Sequence, residues 1–184
     1  MPTRFFVGCG AFPWSQAMTP PKALREPVVE LGIDMLDLDA KALPPSFRFT
    51  RHNLDNYPWP VADGWADEIH AYEVLEHIGM QGDYESFFRC FNELWRIADT
   101  GAQLYASTPA WNGLWALGDP GHTRVINEGT IAFLGMREIV PPASDYREYI
   151  RGFWDLATPI QYVGERFFFN LQKAEENPKW EGKV

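Results

Sequence analysis

The residues best suited to acid–base chemistry lie in one short run, Asp119-Pro120-Gly121-His122-Thr123-Arg124. An imidazole titrates near neutral pH and acts as a general base when a carboxylate orients it, so His122 with Asp119 is the candidate catalytic pair. The same histidine is equally accounted for as a loop tether held by hydrogen bonds. A second imidazole, His77, follows Glu76 in Glu73-Val74-Leu75-Glu76-His77-Ile78, where bracing a helix start against a sheet is the plainer role. Asp119, His122 and His77 also carry donors that suit several divalent ions. No His-x-His or His-x-x-x-His spacing supports such a site, and only a fold that joined distant residues would build one, so no metal is expected.

A second group of residues has the makings of a nucleotide-like cofactor site. The run Arg4-Phe5-Phe6-Val7 stops at Gly8-Cys9-Gly10, a pattern in which a strand delivers backbone close to a ligand because glycine permits the turn and the approach. A Gly-x-Gly after a strand also serves as a plain tight turn. Further on, Met35-Leu36-Asp37-Leu38-Asp39 is an apolar run ending in acids, where the Asp37 carboxylate can accept hydrogen bonds from a ribose diol. Asn53, before Leu54, offers an amide oxygen suited to an adenine amino group.

These residues need a scaffold, and hydrophobic periodicity outlines one. Strands are expected over residues 4–7, 33–38, 47–54, 67–72 and 103–108, with Pro109 closing the last because proline cannot continue a ladder. A helix is expected over 22–31, stopped by Gly32. The strongest helix signal covers 84–98: Asp83 is placed to cap it, Phe87, Phe88, Phe91, Leu94, Trp95 and Ala98 fall on one face, and Gly101 stands just past its end. Residues 160–163 and 166–171, joined by Gly164-Glu165, read as a terminal hairpin. Between Pro109 and this hairpin Trp111, Trp115, Phe133 and Trp154 suit a pocket wall, or equally a satellite core.

In this order the motifs resemble those of the class I S-adenosylmethionine-dependent methyltransferases, in particular a small methyltransferase type 11-like group with Val-Leu-Glu-His-Ile and Asp-Pro-x-His-x-Arg blocks. The resemblance runs from Arg4 to about Leu134. It implies an α/β fold, a Rossmann-like mostly parallel sheet of about seven strands with a C-terminal antiparallel hairpin and helices on both faces. It implies S-adenosylmethionine as cofactor, with the methionine part at Gly8, Cys9 and Gly10, the ribose at Asp37, and the adenine at Leu38, Asn53 and Leu54. Tyr72, Glu73 and His77 complete the implied cofactor contacts. Two departures stand out: Ala11-Phe12-Pro13-Trp14 follows the glycine pair where a small residue and an acid are usual, and Asn53 stands where an aspartate is common.

The implied reaction is transfer of a methyl group to a small-molecule, sugar or nucleotide-sized acceptor, preferably at oxygen, with His122 taking the acceptor's proton. The alternative is a non-catalytic methyltransferase-like module that binds cofactor or a partner. With 184 residues, 46% hydrophobic, the chain suits one domain, expected over residues 1–173 with a frayed tail at 174–184. A net charge of -9 repels phosphate backbones, so nucleic acid is not favoured as a substrate. Two cysteines, Cys9 and Cys90, give no disulfide framework and suit a reducing cytoplasm. No leader or membrane-length apolar run is present, so no membrane is expected as a partner. Because the chain starts at its first strand, without the capping helix of many relatives, a homodimer that completes the pocket is a reasonable expectation.

Overall fold

The computed structural model describes residues 1–10, 29–36, 43, 45–135 and 144–184. Seven strands form one sheet in the order β3-β2-β1-β4-β5-β7-β6. They are β1 (Thr3–Val7), β2 (Val29–Asp34), β3 (Phe47–Arg51), β4 (Ala66–Tyr72), β5 (Ala98–Pro109), β6 (Gly152–Val163) and β7 (Arg166–Glu176). The first five pair in parallel, and β7 runs antiparallel to both β5 and β6. From β1 the chain builds outward to β2 and β3, then returns to the other side of β1 as β4. That reversal puts a topological switch point, the usual ligand crevice of an open α/β sheet, at the carboxyl ends of β1 and β4.

The central position of β1 follows from its sequence: Phe5, Phe6 and Val7 are all buried, so both faces of the strand are covered. Phe5 and Val7 join Ile69, Ala71, Leu104, Ala106 and Phe169 in the main core, while Phe6 packs with Cys9 and Phe47 in a smaller cluster. Helix α1 (Tyr84–Ile97) closes the main core with Phe87, Phe88, Phe91, Leu94 and Trp95. Each such side chain contributes about 2 kcal/mol by leaving water. Asp83 caps the helix as expected, its carboxylate accepting from the Ser86 amide at 3.1 Å. Two short helices follow, α2 (Trp115–Gly118) and α3 (Glu128–Ala132). Among the described residues no helix is long and apolar enough to cross a membrane.

Several expectations change. The helix expected over 22–31 falls largely outside the described residues, but its end does not: Val29 to Leu31 are strand, because Thr3 pairs with Val29 and Val7 with Ile33. Gly32 is no stop signal but an interior strand residue. A Cβ there would meet the Phe47 ring at 2.5 Å and the Cys9 sulfur at 2.9 Å, so only glycine fits. Strand β2 then ends at Asp34, short of the expected 38, and β3 ends at Arg51, because Asn53 and Asn56 fold into a turn (Asn56 N–H to Asn53 O, 3.0 Å). Finally, β5, β6 and β7 outrun the expected spans. In place of fraying after Lys173 the chain stays in β7 to Glu176, and buried Asn177 docks against Ile150 O (2.7 Å) and Arg151 O (2.9 Å).

Candidate functional site

At the tip of β1 both Gly8 and Gly10 have left-handed backbone, with φ of +59° and +52°. A Cβ on Gly8 would sit 2.2 Å from Val74 Cγ2, so glycine is what lets the ends of β1 and β4 touch at the switch point. The turn's amides are already engaged. Gly8 N–H and Cys9 N–H point to Ile33 O (2.9 and 3.3 Å), and Gly10 N–H donates to Asp34 Oδ2 at 2.7 Å. Close approach and carbonyl oxygens are therefore what this turn can offer a ligand. Burial pushes the Cys9 thiol up to about 12, which fits a small filler and not a nucleophile.

Asp34 was missed in the sequence. It ends β2, ties the β1 turn to its own strand, and accepts from Leu36 N–H at 2.8 Å. The signal was the Val-Glu-Leu-Gly-Ile-Asp run, whose ladder with β1 places the acid at the strand's end. Asp37 and Leu38, the expected ribose and adenine residues, lie outside the described residues. At the tip of β3, Asn53 is exposed with its Oδ1 accepting from Asp55 N–H at 3.0 Å. Leu54, expected beside an adenine, is a main-core residue whose carbonyl accepts from Trp59 Nε1–H at 3.0 Å.

The tip of β4 is strained and braced. Glu73 has a φ of +50°, which costs a non-glycine residue roughly 1–2 kcal/mol. Strand β5 holds it: Glu73 N–H donates to Ser107 O (2.8 Å), and the Ser107 hydroxyl donates to Glu73 Oε1 (2.6 Å). Tyr72 bonds His70 Nδ1 through its hydroxyl at 2.8 Å. His70 belongs to a buried polar stripe that the sequence reading also missed. Its Nε2 contacts Glu68, which takes Arg4 Nε–H at 2.7 Å, and Arg4 in turn reaches Glu30 at 2.8 Å. Burial drives the His70 pKa down, against the pull of Glu68. The alternation Glu68-x-His70-x-Tyr72 on one strand face was the available signal.

Past β4, a single turn at Leu75–His77 carries Glu76 and His77, and here the two distinctive sequence blocks fold onto each other. Thr123 N–H and Arg124 N–H both donate to Glu76 O, at 2.9 and 3.1 Å. Buried Arg124 donates to the carbonyls of Ile78 (2.9 Å), Met80 (2.9 Å) and Asp83 (2.8 Å), with its guanidinium 5.3 Å above the Phe87 ring. The arginine thus sews the 119–124 loop to the turn ahead of α1.

The result is a compact cluster. The His77 and His122 rings meet edge to face at 4.8 Å. His77 Nδ1 bonds Gly121 O at 2.8 Å and His122 Nδ1 bonds Trp115 O at 2.6 Å. A carbonyl can only accept, so each Nδ1 carries the proton and, in the neutral ring, each Nε2 keeps its lone pair. His122 Nε2 lies 3.9 Å from Glu76 Oε1 and 3.9 Å from Asp119 Oδ2. Asp119, expected to orient His122, leaves that task to the Trp115 carbonyl and accepts from Gly121 N–H at 2.8 Å. Glu76 is 1% exposed, and among the described residues neither of its oxygens has a hydrogen-bond partner. Burial, with the charges of Glu73 and Asp119 adding, pushes its carboxyl up to about 8.

The expected aromatic wall divides. Trp154 is fully buried in the main core and Phe133 packs against that core, whereas Trp111 and Trp115 are exposed, and Trp115 meets the 119–122 turn through its carbonyl's bond to His122.

Comparison with known proteins agrees with the fold. No protein-family model matches the chain, and no curated protein matches it in sequence. Solved structures do. An S-adenosylmethionine-dependent methyltransferase from Methanosarcina mazei is similar with a TM-score of 0.58 at 16% identity, over 93% of this chain and 92% of that one. The 1,6-didemethyltoxoflavin-N1-methyltransferase of Burkholderia thailandensis, solved with its substrate and S-adenosylhomocysteine, gives 0.61 at 11% identity, over 94% and 71%. The 16S rRNA (adenine(1408)-N(1))-methyltransferase of Catenulisporales acidiphilia, a W203A variant, gives 0.58 at 16%, over 95% and 86%. The chain therefore shares the fold of these methyltransferases, two of which are named for acceptors as different as 1,6-didemethyltoxoflavin and 16S rRNA.

Proposed function

We propose that this chain is an S-adenosylmethionine-dependent methyltransferase of a small-molecule, sugar or nucleotide-sized acceptor, transferring to oxygen. The carrying observation is the juxtaposition at one sheet edge of the glycine turn tied to Asp34 and, one turn beyond β4, the Glu76–His122 cluster. Asp34, with Asp37 further along the same segment, supplies carboxylate for the ribose. Asn53 supplies an amide for the adenine edge, and Gly8, Cys9 and Gly10 supply room for the methionine portion. Tyr72, Glu73 and His77 flank that path.

Bound S-adenosylmethionine supplies an electrophilic methyl whose transfer leaves a neutral thioether. The chain aligns the acceptor and accepts its proton. His122 Nε2 is the available lone pair, fixed in that tautomer by the Trp115 carbonyl, and the imidazolium that forms faces Glu76 and Asp119. Exposed Trp115, whose carbonyl holds this base, suits a planar or ring-bearing acceptor. The overall charge of -9 disfavours a polynucleotide.

Calorimetric titration with S-adenosylhomocysteine tests the cofactor half: saturable binding weakened by Asp34→Ala supports it, and no binding removes it. Once an acceptor is found, His122→Gln tests the base, and unchanged turnover across the pH profile removes His122 from the mechanism.

A further inference from the structure

Glu76 and His77 are neighbours and His122 lies 46 positions beyond Glu76, yet one donor atom from each lies within 4.8 Å of the other two. Three features distinguish this from a chance cluster. First, both imidazoles are held by Nδ1–H bonds to backbone carbonyls, Gly121 O and Trp115 O, the arrangement that fixes metal-ligating histidines and leaves Nε2 as donor. Second, Glu76 is 1% exposed and both of its oxygens lack a hydrogen-bond partner among the described residues, although burial of an unpaired carboxylate is costly. Third, the gap between His122 Nε2 and Glu76 Oε1, 3.9 Å, is too long for a hydrogen bond. It is close to the spacing of about 3.4 Å between donors that sit about 2.1 Å from a tetrahedral ion.

We propose that Glu76, His77 and His122, with Asp119 at the rim, bind one divalent transition-metal ion of the Zn2+ class. Two imidazole nitrogens and a carboxylate oxygen favour such an ion over Mg2+, which prefers oxygen ligands. Two carboxylates, Glu76 and Asp119, balance its charge. His77 is exposed and Asp119 half-exposed, so one side of the site is open for water or an acceptor oxygen, as in catalytic rather than structural sites. With the ion bound, His122 would be a ligand, and the proton of an acceptor oxygen acidified by the ion's charge would pass to water on the open side of the site. In its absence the imidazole acts as base.

The site stands on geometry independent of the cofactor, and its test needs no cofactor. Protein freed of metal by a chelator and dialysed is titrated calorimetrically with ZnCl2, then with MgCl2, and Co2+ is added to a separate sample for its visible spectrum. The expected result is one Zn2+ per chain, little affinity for Mg2+, and a Co2+ absorption band typical of low coordination. Glu76→Gln and His122→Gln weaken Zn2+ binding by more than the roughly 10–100-fold that loss of an outer-shell partner brings. His52→Gln, on the exposed β3 turn, leaves it unchanged. Absence of stoichiometric Zn2+ binding, or Zn2+ affinity that survives both Glu76→Gln and His122→Gln, overturns the proposal. Either outcome leaves S-adenosylhomocysteine binding, measured separately, to decide the cofactor reading.

Discussion

The contact between the tips of β1 and β4 makes a sharp quantitative demand at Gly8. In Gly8→Ala the new methyl would stand 2.2 Å from Val74 Cγ2 and 2.7 Å from Val74 Cβ, on a backbone with φ +59°. Left-handed backbone costs alanine about 1–2 kcal/mol, and overpacking typically adds about 1–3 kcal/mol, so the variant should lose about 2–5 kcal/mol. The two parts separate experimentally. Val74→Gly removes the three atoms nearest the methyl, so in its background Gly8→Ala should cost little beyond the backbone share. Urea denaturation of wild type, both single variants and the double variant, read by tryptophan fluorescence, closes the cycle. A loss below about 1 kcal/mol for Gly8→Ala, or an equal loss with and without Val74, refutes the close approach of β1 to β4 on which the crevice depends.

Three further outcomes follow from the same structure. Arg124→Ala strips hydrogen bonds from three carbonyls and should cost about 2–4 kcal/mol in urea unfolding, while Arg124→Lys recovers only part of it. Glu68→Gln leaves Arg4 and His70 with a weakened buried partner and should cost about 3 kcal/mol; an unchanged unfolding midpoint would contradict the buried network. With divalent ions chelated, Glu76 binds its proton in the folded state up to about pH 8 but in the unfolded chain only to about 4.5. The folded state therefore holds the extra proton in that window, so stability falls as pH rises through it, by at most about 5 kcal/mol. Glu76→Gln should flatten that slope, and a slope shared by both proteins assigns it elsewhere.

The long elements were legible because their patterns are local. Phe5-Phe6-Val7 reads as a strand covered on both faces. Asp83 with the apolar stripe from Phe87 to Trp95 reads as a capped helix, and Gly164-Glu165 reads as a hairpin turn. What escaped depends on pairing. Nothing near Val29 says that it must face Thr3, so the place of Asp34 at the end of β2 is not legible without the pairing. Glu68 and His70 resemble solvated strand residues until Arg4, two strands' worth of sequence away, is placed beside them. The place of Glu76 beside His122 escaped for the same reason: the two share no periodicity, and the hydrogen bonds of Thr123 and Arg124 to Glu76 and its neighbours bring them face to face.

The central claim, that the carboxyl edge of β1 to β4 holds an S-adenosyl cofactor, is tested most directly by isothermal titration of the intact chain with S-adenosylhomocysteine. Saturable binding at one site per chain, lost or strongly weakened in Asp34→Ala while Glu68→Gln retains it, is the predicted result. Absence of binding by a folded wild-type protein, or binding indifferent to Asp34, would contradict the account.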